Sequence, residues 1–188
     1  DVVTIADVEV ENFLIKKIKE KYPDHGIIGE ESGEETNSDA QIKWVIDPID
    51  GTRNFANHIA FWCTMIGIEK DGQPYMSAVY DAINDELYFA EIGKGAFVNN
   101  EKIQVNDYNE IEHCFLAYSG GAVEPGSPYD PDNFEGYQRF SKNLMKDKGH
   151  WINMWGSMLT ICHLAAGRLD AYLNNTGQYH DILAPYVI

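Results

Sequence analysis

Two aspartates stand directly after a short apolar stretch, and this arrangement constrains the fold more than any other feature of the sequence. Residues 42–46 predict a buried strand that ends at Asp47, and Asp50 follows three positions later. Pro48 cannot continue a strand's hydrogen-bond ladder, and Gly51 permits unusual backbone angles, so a tight turn is predicted at the strand's end. Two carboxylates held this close repel each other unless a cation lies between them.

The chemistry of this turn has two interpretations. Mg²⁺ prefers hard oxygen ligands, so two or three carboxylates and a carbonyl oxygen would suit it. An aspartate-rich turn without a metal is an equally good local explanation, because turns favour Asp and Gly. A second acidic pair, Glu30 and Glu31, follows a predicted strand over 26–29 and is locally typical of a solvated loop.

The remaining pattern predicts an α/β chain with a largely antiparallel sheet. Helical spacing of apolar residues indicates a helix over 7–22, which Pro23 ends. The further predicted elements are a meander with strands 62–69, 75–81, 86–91 and 96–98, strands 114–118 and 169–173, loops 32–41 and 119–133, and helices 134–147 and 156–167. A boundary near 106–112 would divide the chain into an α+β part, 1–108, and a second part, 109–188.

Composition argues against several classes of function. The 188 residues carry a net charge of −16, which would repel nucleic acid and anionic lipid. The sequence contains no run of about eighteen apolar residues, so no membrane span is predicted. The odd number of widely spaced cysteines, Cys63, Cys114 and Cys162, predicts free and mostly buried thiols in a reducing cytoplasm.

Longer motifs resemble the inositol monophosphatase family over nearly the whole chain. The residues that carry the resemblance are 29–32 (GEES), 44–55 (WVIDPIDGTRNF), 1–7 (DVVTIAD), 93–97 (GKGAF) with Asn100, and 165–172 (AAGRLDAY) with Asp181. The family's fold is a layered αβαβα sandwich, usually dimeric. By the same resemblance we expect this chain to be truncated at both ends and its fold to be incomplete at the C-terminus.

The resemblance also implies two principal Mg²⁺ sites and a third, weaker one near Glu30. The first metal would be bound by Glu30, Asp47 and the backbone carbonyl of Ile49. The second would be bound by Asp47, Asp50 and Asp181, and would stabilise the leaving oxygen of a phosphate ester. Sequence spacing alone does not establish these ligand sets.

The catalytic residues follow from the same resemblance. Thr52 would hydrogen-bond Asp7 and, together with Glu30, would orient or deprotonate the water that attacks phosphorus. The backbone amides of Gly51 and Thr52 would hold phosphate oxygens at a helix start. The local interpretations are a first-turn helix carboxylate for Asp7 and helix N-caps for Thr52 and Asp181.

The substrate residues depart from the family's pattern. Its Gly-Ser/Thr-Ala turn corresponds to Trp155, Gly156 and Ser157, with the Gly-Ser pair displaced by one position. Asn174 stands where inositol-specific members carry a Glu that contacts substrate hydroxyls, and His180 stands where the family has Trp. The other implied substrate contacts are Ile49, Asp50, Gly51, Thr52 and Asp181.

These features predict Mg²⁺-dependent hydrolysis of a small phosphate monoester, inositol monophosphate or a related polyol phosphate, by a homodimeric, lithium-sensitive enzyme. The alternatives within the family are phosphatases for histidinol phosphate, fructose-1,6-bisphosphate or 3′-phosphoadenosine phosphate. The alternative from another class is an inert, truncated metal-binding protein. Arg53 and Arg168 could each approach a substrate anion or lie at the surface.

Overall fold

The structure is a computed structural model that describes residues 3–33, 35–110, 113–119, 139, 142–143, 146, 151–174 and 177–188. The helices with described bounds are α1 (Ile5–Lys21), α2 (Thr52–Ala56), α3 (Leu159–Ala165) and α4 (Tyr179–Val187). The strands are β1 (Gly26–Gly29), β2 (Glu35–Thr36), β3 (Ile42–Asp50), β4 (Cys63–Lys70), β5 (Gln73–Asp81), β6 (Glu86–Glu91), β7 (Gly95–Val98), β8 (Glu101–Lys102), β9 (Phe115–Ser119), β10 (Trp151–Asn153) and β11 (Ala171–Asn174).

The larger sheet has eight strands in the order β2-β1-β3-β4-β5-β6-β7-β8. β1 and β3 are parallel, and the other neighbouring strands are antiparallel. The predicted meander is confirmed, because β4 to β7 match its four strands to within two residues. β2 and β8 lie where the sequence predicts no strand, because two residues are too few for an alternating pattern to show.

The predicted end of the third strand is wrong. β3 continues past Pro48 to Asp50, so both aspartates lie on the strand and not on a turn beyond it. The pairing with β4 shifts between Asp47, opposite Met65, and Asp50, opposite Cys63. One extra residue on β3 makes this a β-bulge, which accommodates a proline without an N–H in the ladder.

Helix α1 begins two residues before its predicted start. Asp7 is the third residue of the helix, and its carboxylate accepts a hydrogen bond from the backbone N–H of Thr4, the N-cap residue, at 2.8 Å. This bond satisfies an N–H group that has no partner within the helix. Its buried face packs on β3 through Ile18, which joins Ile27 and Ile46 in one apolar cluster. The helix ends at Lys21, in agreement with the predicted stop at Pro23.

Helices α3 and α4 lie on the opposite face of the larger sheet from α1. Directly paired residues of neighbouring strands share a face, so Met65 and Val79 point away from the α1 side. They form a second apolar cluster with Leu159 of α3 and Ala184 of α4. The order of layers is therefore α1, the eight-stranded sheet, then α3 and α4, with the smaller sheet packed against α3.

The smaller sheet contains three parallel strands in the order β10-β9-β11. β9 and β11 correspond to the predicted strands 114–118 and 169–173. Helix α3 is shorter than the predicted 156–167, because Gly156 and Gly167 both have positive φ, 64° and 71°, outside the helical range. The predicted loop 119–133 and helix 134–147 lie outside the described residues, apart from Ser119 and isolated positions.

All three cysteines are free and buried, as predicted, and the reducing cytoplasm stays a prediction. Of the helices in the described part of the chain, none is both long enough and apolar enough to cross a membrane. The predicted division at 108–109 falls between the two sheets and stays a prediction.

Candidate metal centre

The bulge in β3 turns two carboxylates toward the face that carries α3 and α4. Asp47 and Asp50 are 1% and 8% exposed, which would be costly for two bare charges. Oδ1 of Asp47 is buried and has no hydrogen-bond partner among the described residues. Buried acceptors are nearly always satisfied in folded proteins, so this atom is one that a cation would complete.

Asp50 is held by donors from the other side of the molecule. Its Oδ2 accepts the hydroxyl of Ser157, the backbone N–H of Met158 at 2.6 Å, and the thiol of Cys63 at 3.5 Å. Three donors converge on one oxygen and leave Oδ1 for a metal. The segment before α3 thereby fixes the orientation of this carboxylate.

Helix α4 brings the third carboxylate to the same place. One oxygen each of Asp47, Asp50 and Asp181 lie within 4.8 Å of one another. Asp181 is not an N-cap, as its local pattern suggested, but the third residue of α4, where its Oδ2 accepts the N–H of Gln178. The helix approaches β4 closely at Gly67, where an added Cβ would lie 2.7 Å from Cγ of Leu183.

Glu30 follows β1 and lies beside this cluster, but it is not one of the three carboxylates that converge within 4.8 Å. Its backbone N–H donates to the carbonyl of Ile46 at 3.1 Å, and its carboxyl group lies close enough to that of Asp47 for each to affect the pKa of the other. Nε2 of His180 lies 3.5 Å from Oε1 of Glu30 and 3.8 Å from Oδ1 of Asp181. His180, which replaces the family's Trp, therefore contacts Glu30 and one carboxylate of the cluster.

The pKa values of the three aspartates are raised, which indicates that too little positive charge lies near them to stabilise their ionised forms. Burial and the neighbouring carboxylates Asp50 and Glu30 hold the pKa of Asp47 well above its ordinary value. Burial raises the pKa of Asp50 to about 6, against the opposing hydrogen bond from Ser157. Burial also raises the pKa of Asp181. A bound divalent cation would reverse these effects, since it favours the ionised carboxylates.

Glu30 differs from the three aspartates. Burial opposes its ionisation, but hydrogen bonds from His180 and Asp47 outweigh burial and lower its pKa. It is therefore ionised at neutral pH. The oxygens that converge here belong to carboxylates, which fit a hard divalent cation such as Mg²⁺.

The structure also brings Thr52 to Asp7. Oγ1 of Thr52 lies 3.3 Å from Oδ1 of Asp7 and 2.9 Å from the carbonyl oxygen of Ile49. The hydroxyl has one proton, so it donates to one of these acceptors at a time. Thr52 is not the N-cap of α2; Gly51 is, with φ of 86°, and a Cβ there would lie 3.1 Å from Cβ of Ser157.

The predicted substrate residues are only partly brought together. Ser157 is buried against Asp50, next to Gly156. The Trp155 carbonyl accepts Nδ2 of Asn54 at 2.6 Å, and this links the turn to the helix that follows the bulge. Nδ2 of Asn174 lies 3.5 Å from the sulfur of Met158, the residue whose backbone N–H donates to Asp50.

Arg168 lies outside the cluster of carboxylates. Its guanidinium forms two hydrogen bonds with Glu86, at 2.6 and 2.7 Å, and one with the hydroxyl of Tyr88 at 2.9 Å. It ties the turn after α3 to β6. Arg53 is exposed on the short helix α2.

Glu11 and Cys63 are neighbours of the candidate centre that no sequence motif indicated. Glu11 looks like part of the charged outer face of a helix, yet it is 3% exposed. The available signal was its spacing of four from Asp7, which places both on one helix face. Nothing in the sequence could place the Cys63 thiol beside Asp50, because that contact depends on the bulge.

The sheet order and the carboxylates define an α/β protein with a cluster of acidic side chains at the end of β3. The model of the inositol monophosphatase family matches residues 1–188, and the chain belongs to this family. The family is metal-dependent. The predicted resemblance and fold class are thus confirmed.

Individual relatives give the extent of the similarity. Inositol monophosphatase 1 of Rattus norvegicus is 36% identical over 176 residues, 92% of this chain and 62% of that protein. The Nus factor SuhB of Pasteurella multocida is 34% identical over 185 residues, 98% of this chain and 67% of that protein. The extragenic suppressor protein suhB from Bartonella henselae has a crystal structure with a TM-score of 0.86 at 32% identity, covering 98% of this chain and 70% of that one.

This chain therefore spans 62% and 67% of the length of these two curated relatives.

Proposed function

We propose that this chain carries the catalytic centre of a Mg²⁺-dependent phosphatase for small phosphate monoesters, inositol monophosphate or a related polyol phosphate. The observation that carries the proposal is the convergence of Asp47, Asp50 and Asp181, two of them buried, on one point. A protein with a net charge of −16 would repel a phosphate ester. A cation at this point would remove that repulsion.

Bound Mg²⁺ would supply Lewis acidity toward the phosphate oxygens and would lower the pKa of water in the site. The residues to hold it are Glu30, Asp47, Asp50 and Asp181, with the carbonyl of Ile49. The number of ions, two or three, is part of the proposal. We assign the substrate's phosphate to the part of the cluster near the backbone amides of Gly51 and Thr52.

Two further groups would act on the attacking water. Thr52 is held between Asp7 and the carbonyl of Ile49, so its hydroxyl oxygen has a defined place from which to orient the water. Glu30 is the proposed base, because its carboxylate is ionised at neutral pH and can accept a proton. His180 would steady the Glu30 carboxylate during that step.

The polyol is the least constrained part of the substrate. Asn174 offers an amide in place of the family's carboxylate, so it can both donate to and accept from substrate hydroxyls. The other side of the polyol site would be formed by Trp155, Gly156 and Ser157. The hydroxyl of Ser157 is hydrogen-bonded to Asp50. Phosphatase activity toward histidinol phosphate, fructose-1,6-bisphosphate or 3′-phosphoadenosine phosphate is the alternative. A homodimer, a cytoplasmic location and sensitivity to lithium stay predictions.

The similarity to a protein named Nus factor SuhB favours one second candidate, a binding role that needs no turnover. The two functions differ in what the metal centre does. In the phosphatase, loss of Asp50 abolishes the reaction; in a binding protein, the centre only stabilises the fold.

The test is phosphate release from inositol monophosphate, histidinol phosphate, fructose-1,6-bisphosphate and 3′-phosphoadenosine phosphate, with Mg²⁺ and with EDTA. Asp50→Asn is expected to reduce Mg²⁺-dependent release by about a hundredfold or more, because a metal ligand and its charge are lost. Asp71→Asn is the matched control, because Asp71 lies in an exposed turn with φ of 53°, which Asn tolerates. Equal release by wild type and Asp50→Asn, or none from any ester, would overturn the proposal.

A further inference from the structure

Glu11 is a buried carboxylate that is bonded to backbone and not to a cation. Its Oε2 accepts the N–H of Glu31 at 2.9 Å, and its Oε1 accepts the N–H of Ser32 at 2.8 Å. Each oxygen therefore holds one donor of the turn that follows β1. Charge-assisted hydrogen bonds of this kind are stronger than neutral ones.

The turn that Glu11 holds carries Glu30. On one side of Glu30, its own N–H is fixed to the carbonyl of Ile46 in β3. On the other side, the next two N–H groups are fixed to Glu11. The backbone is thus anchored on both sides of a residue whose side chain lies beside the carboxylate cluster.

The fit between Glu11 and this turn is tight. A Cβ at position 29 would lie 2.6 Å from Cδ and Oε1 of Glu11, so only glycine leaves room for the carboxylate. Gly29 immediately precedes Glu30. A glycine that seats Glu11 and a glutamate that faces Asp47 are therefore adjacent in the chain.

The electrostatic setting argues against a merely space-filling role. Glu11 adds negative charge beside Glu30, Glu31 and Asp7, and burial makes that charge harder to solvate. A neutral side chain of the same size would avoid this repulsion. A carboxylate is needed, however, to accept two N–H groups at once, since an amide offers one acceptor atom.

We propose that Glu11 is a positioning residue for Glu30: by holding the N–H groups of Glu31 and Ser32, it sets the direction in which the Glu30 carboxylate meets Asp47. One turn earlier on the same face, Asp7 holds Thr52. Helix α1 therefore positions both groups assigned to the attacking water. The effect on metal binding rests on the proposed ligand role of Glu30, and the effect on turnover rests in addition on the proposed activity.

The test measures binding of Mg²⁺ or Mn²⁺ alone by calorimetry, with thermal unfolding in EDTA beside it. Glu11→Gln keeps the shape but opposes an amide NH₂ to one of the two N–H groups, and we expect metal affinity to fall about tenfold. Glu9→Gln, at an exposed position on α1, is the control and should leave affinity unchanged. In a Glu30→Gln background, Glu11→Gln should change affinity less than about twofold, because the two residues act through one carboxylate.

Gly29→Ala is a second variant that displaces the same carboxylate from the other side, and it should reproduce the loss of affinity. If Glu11→Gln lowers thermal stability but leaves metal affinity within about twofold of wild type, the role is structural only and the proposal is overturned. A full loss of about tenfold in the Glu30→Gln background would overturn it as well. A wild type that binds metal but hydrolyses no ester would instead contradict the proposed function, while the coupling of Glu11 to Glu30 would stand.

Discussion

The backbone N–H of Met158 lies 2.6 Å from Oδ2 of Asp50, although 108 positions separate these residues in the sequence. The hydroxyl of Ser157 donates to the same oxygen. The segment before α3 and the bulge of β3 thus meet at one carboxylate. The candidate metal centre is complete only when both regions of the fold are in place.

Ser157→Ala is expected to weaken divalent metal binding about tenfold and to lower the free energy of unfolding by about 1–2 kcal/mol, because Asp50 loses a charge-assisted donor. Calorimetric metal titration and urea denaturation measure the two effects. Ser77→Ala is the matched control: Ser77 is also buried, but its hydroxyl has no partner among the described residues. Equal losses in the two variants would contradict a specific role for the Ser157 hydroxyl.

Asp50→Asn is expected to stabilise the metal-free protein at neutral pH. The pKa of Asp50 is raised from 3.8 to about 6 in the folded state, chiefly by burial. Between these values the folded protein holds a proton that the unfolded chain has released, so Asp50 lowers the free energy of unfolding as pH rises. Asp50→Asn has no charge at this position, so its free energy of unfolding is not lowered in this way.

Thermal unfolding in EDTA from about pH 4 to about pH 8 tests this. The advantage of Asp50→Asn over wild type should grow as pH rises from about 4 to about 6 and then level off. Added Mg²⁺ should stabilise wild type and Asp71→Asn but not Asp50→Asn. A constant difference between variant and wild type across the whole pH range would show that burial of this carboxylate does not oppose its ionisation.

The ion pair between Arg168 and Glu86 makes the free energy of unfolding rise with pH, which is the opposite of the effect of Asp50. Hydrogen bonds from Arg168 lower the pKa of Glu86 from 4.5 to about 2, against partial burial. Its contribution to stability is therefore full above about pH 4.5 and is lost as pH falls toward 2. Arg168→Leu should lower the free energy of unfolding at neutral pH by about 1 kcal/mol, since solvent screens a partly exposed pair.

Urea denaturation at about pH 7 and about pH 3 measures this difference, which should shrink at the lower pH. Lys17→Met is the control, because the ion pair of Lys17 with Glu20 is exposed on both sides and should contribute little at either pH. If Arg168→Leu costs as much in acid as at neutral pH, lost packing against Tyr88 and not the ion pair explains it.

Local sequence patterns predicted much of the larger sheet. The family motifs indicated which carboxylates are candidate metal ligands. The meander from β4 to β7 follows from alternating residues between strong turn signals, which are local properties. Asp47 and Asp50 were recognised by their closeness in sequence and by the family motif, but a regular strand would point residues three positions apart to opposite faces, and only the bulge brings both to one face. The bulge was missed, because Pro48 argues for a strand end unless a partner strand supplies the compensating contacts, as Thr64 does by donating to its carbonyl at 2.8 Å.

Contacts between distant segments could not be predicted from residue type. Glu11 has the same local pattern as an exposed helix residue, and only the turn after β1 reveals its role. Arg168 could serve an anion or an ion pair equally well until Glu86 is placed beside it. Such roles depend on tertiary neighbours, which spacing along one helix or strand does not contain.

Gly67→Ala tests whether the packing of α4 on β4 positions Asp181. An added methyl group would lie 2.7 Å from Cγ and 2.8 Å from Cδ2 of Leu183, two residues after Asp181, so the helix must shift or the leucine must leave its position. Overpacking of this kind costs about 1–3 kcal/mol, and metal affinity should fall with stability because Asp181 moves with the helix.

Leu183→Ala in the same chain removes the overlapping atoms, so the double variant should bind metal more tightly than Gly67→Ala alone. This is expected even though Leu183→Ala by itself opens a cavity and lowers stability. Calorimetric titration of the four proteins measures this coupling, and losses that simply add would show that α4 reaches the centre independently of this contact.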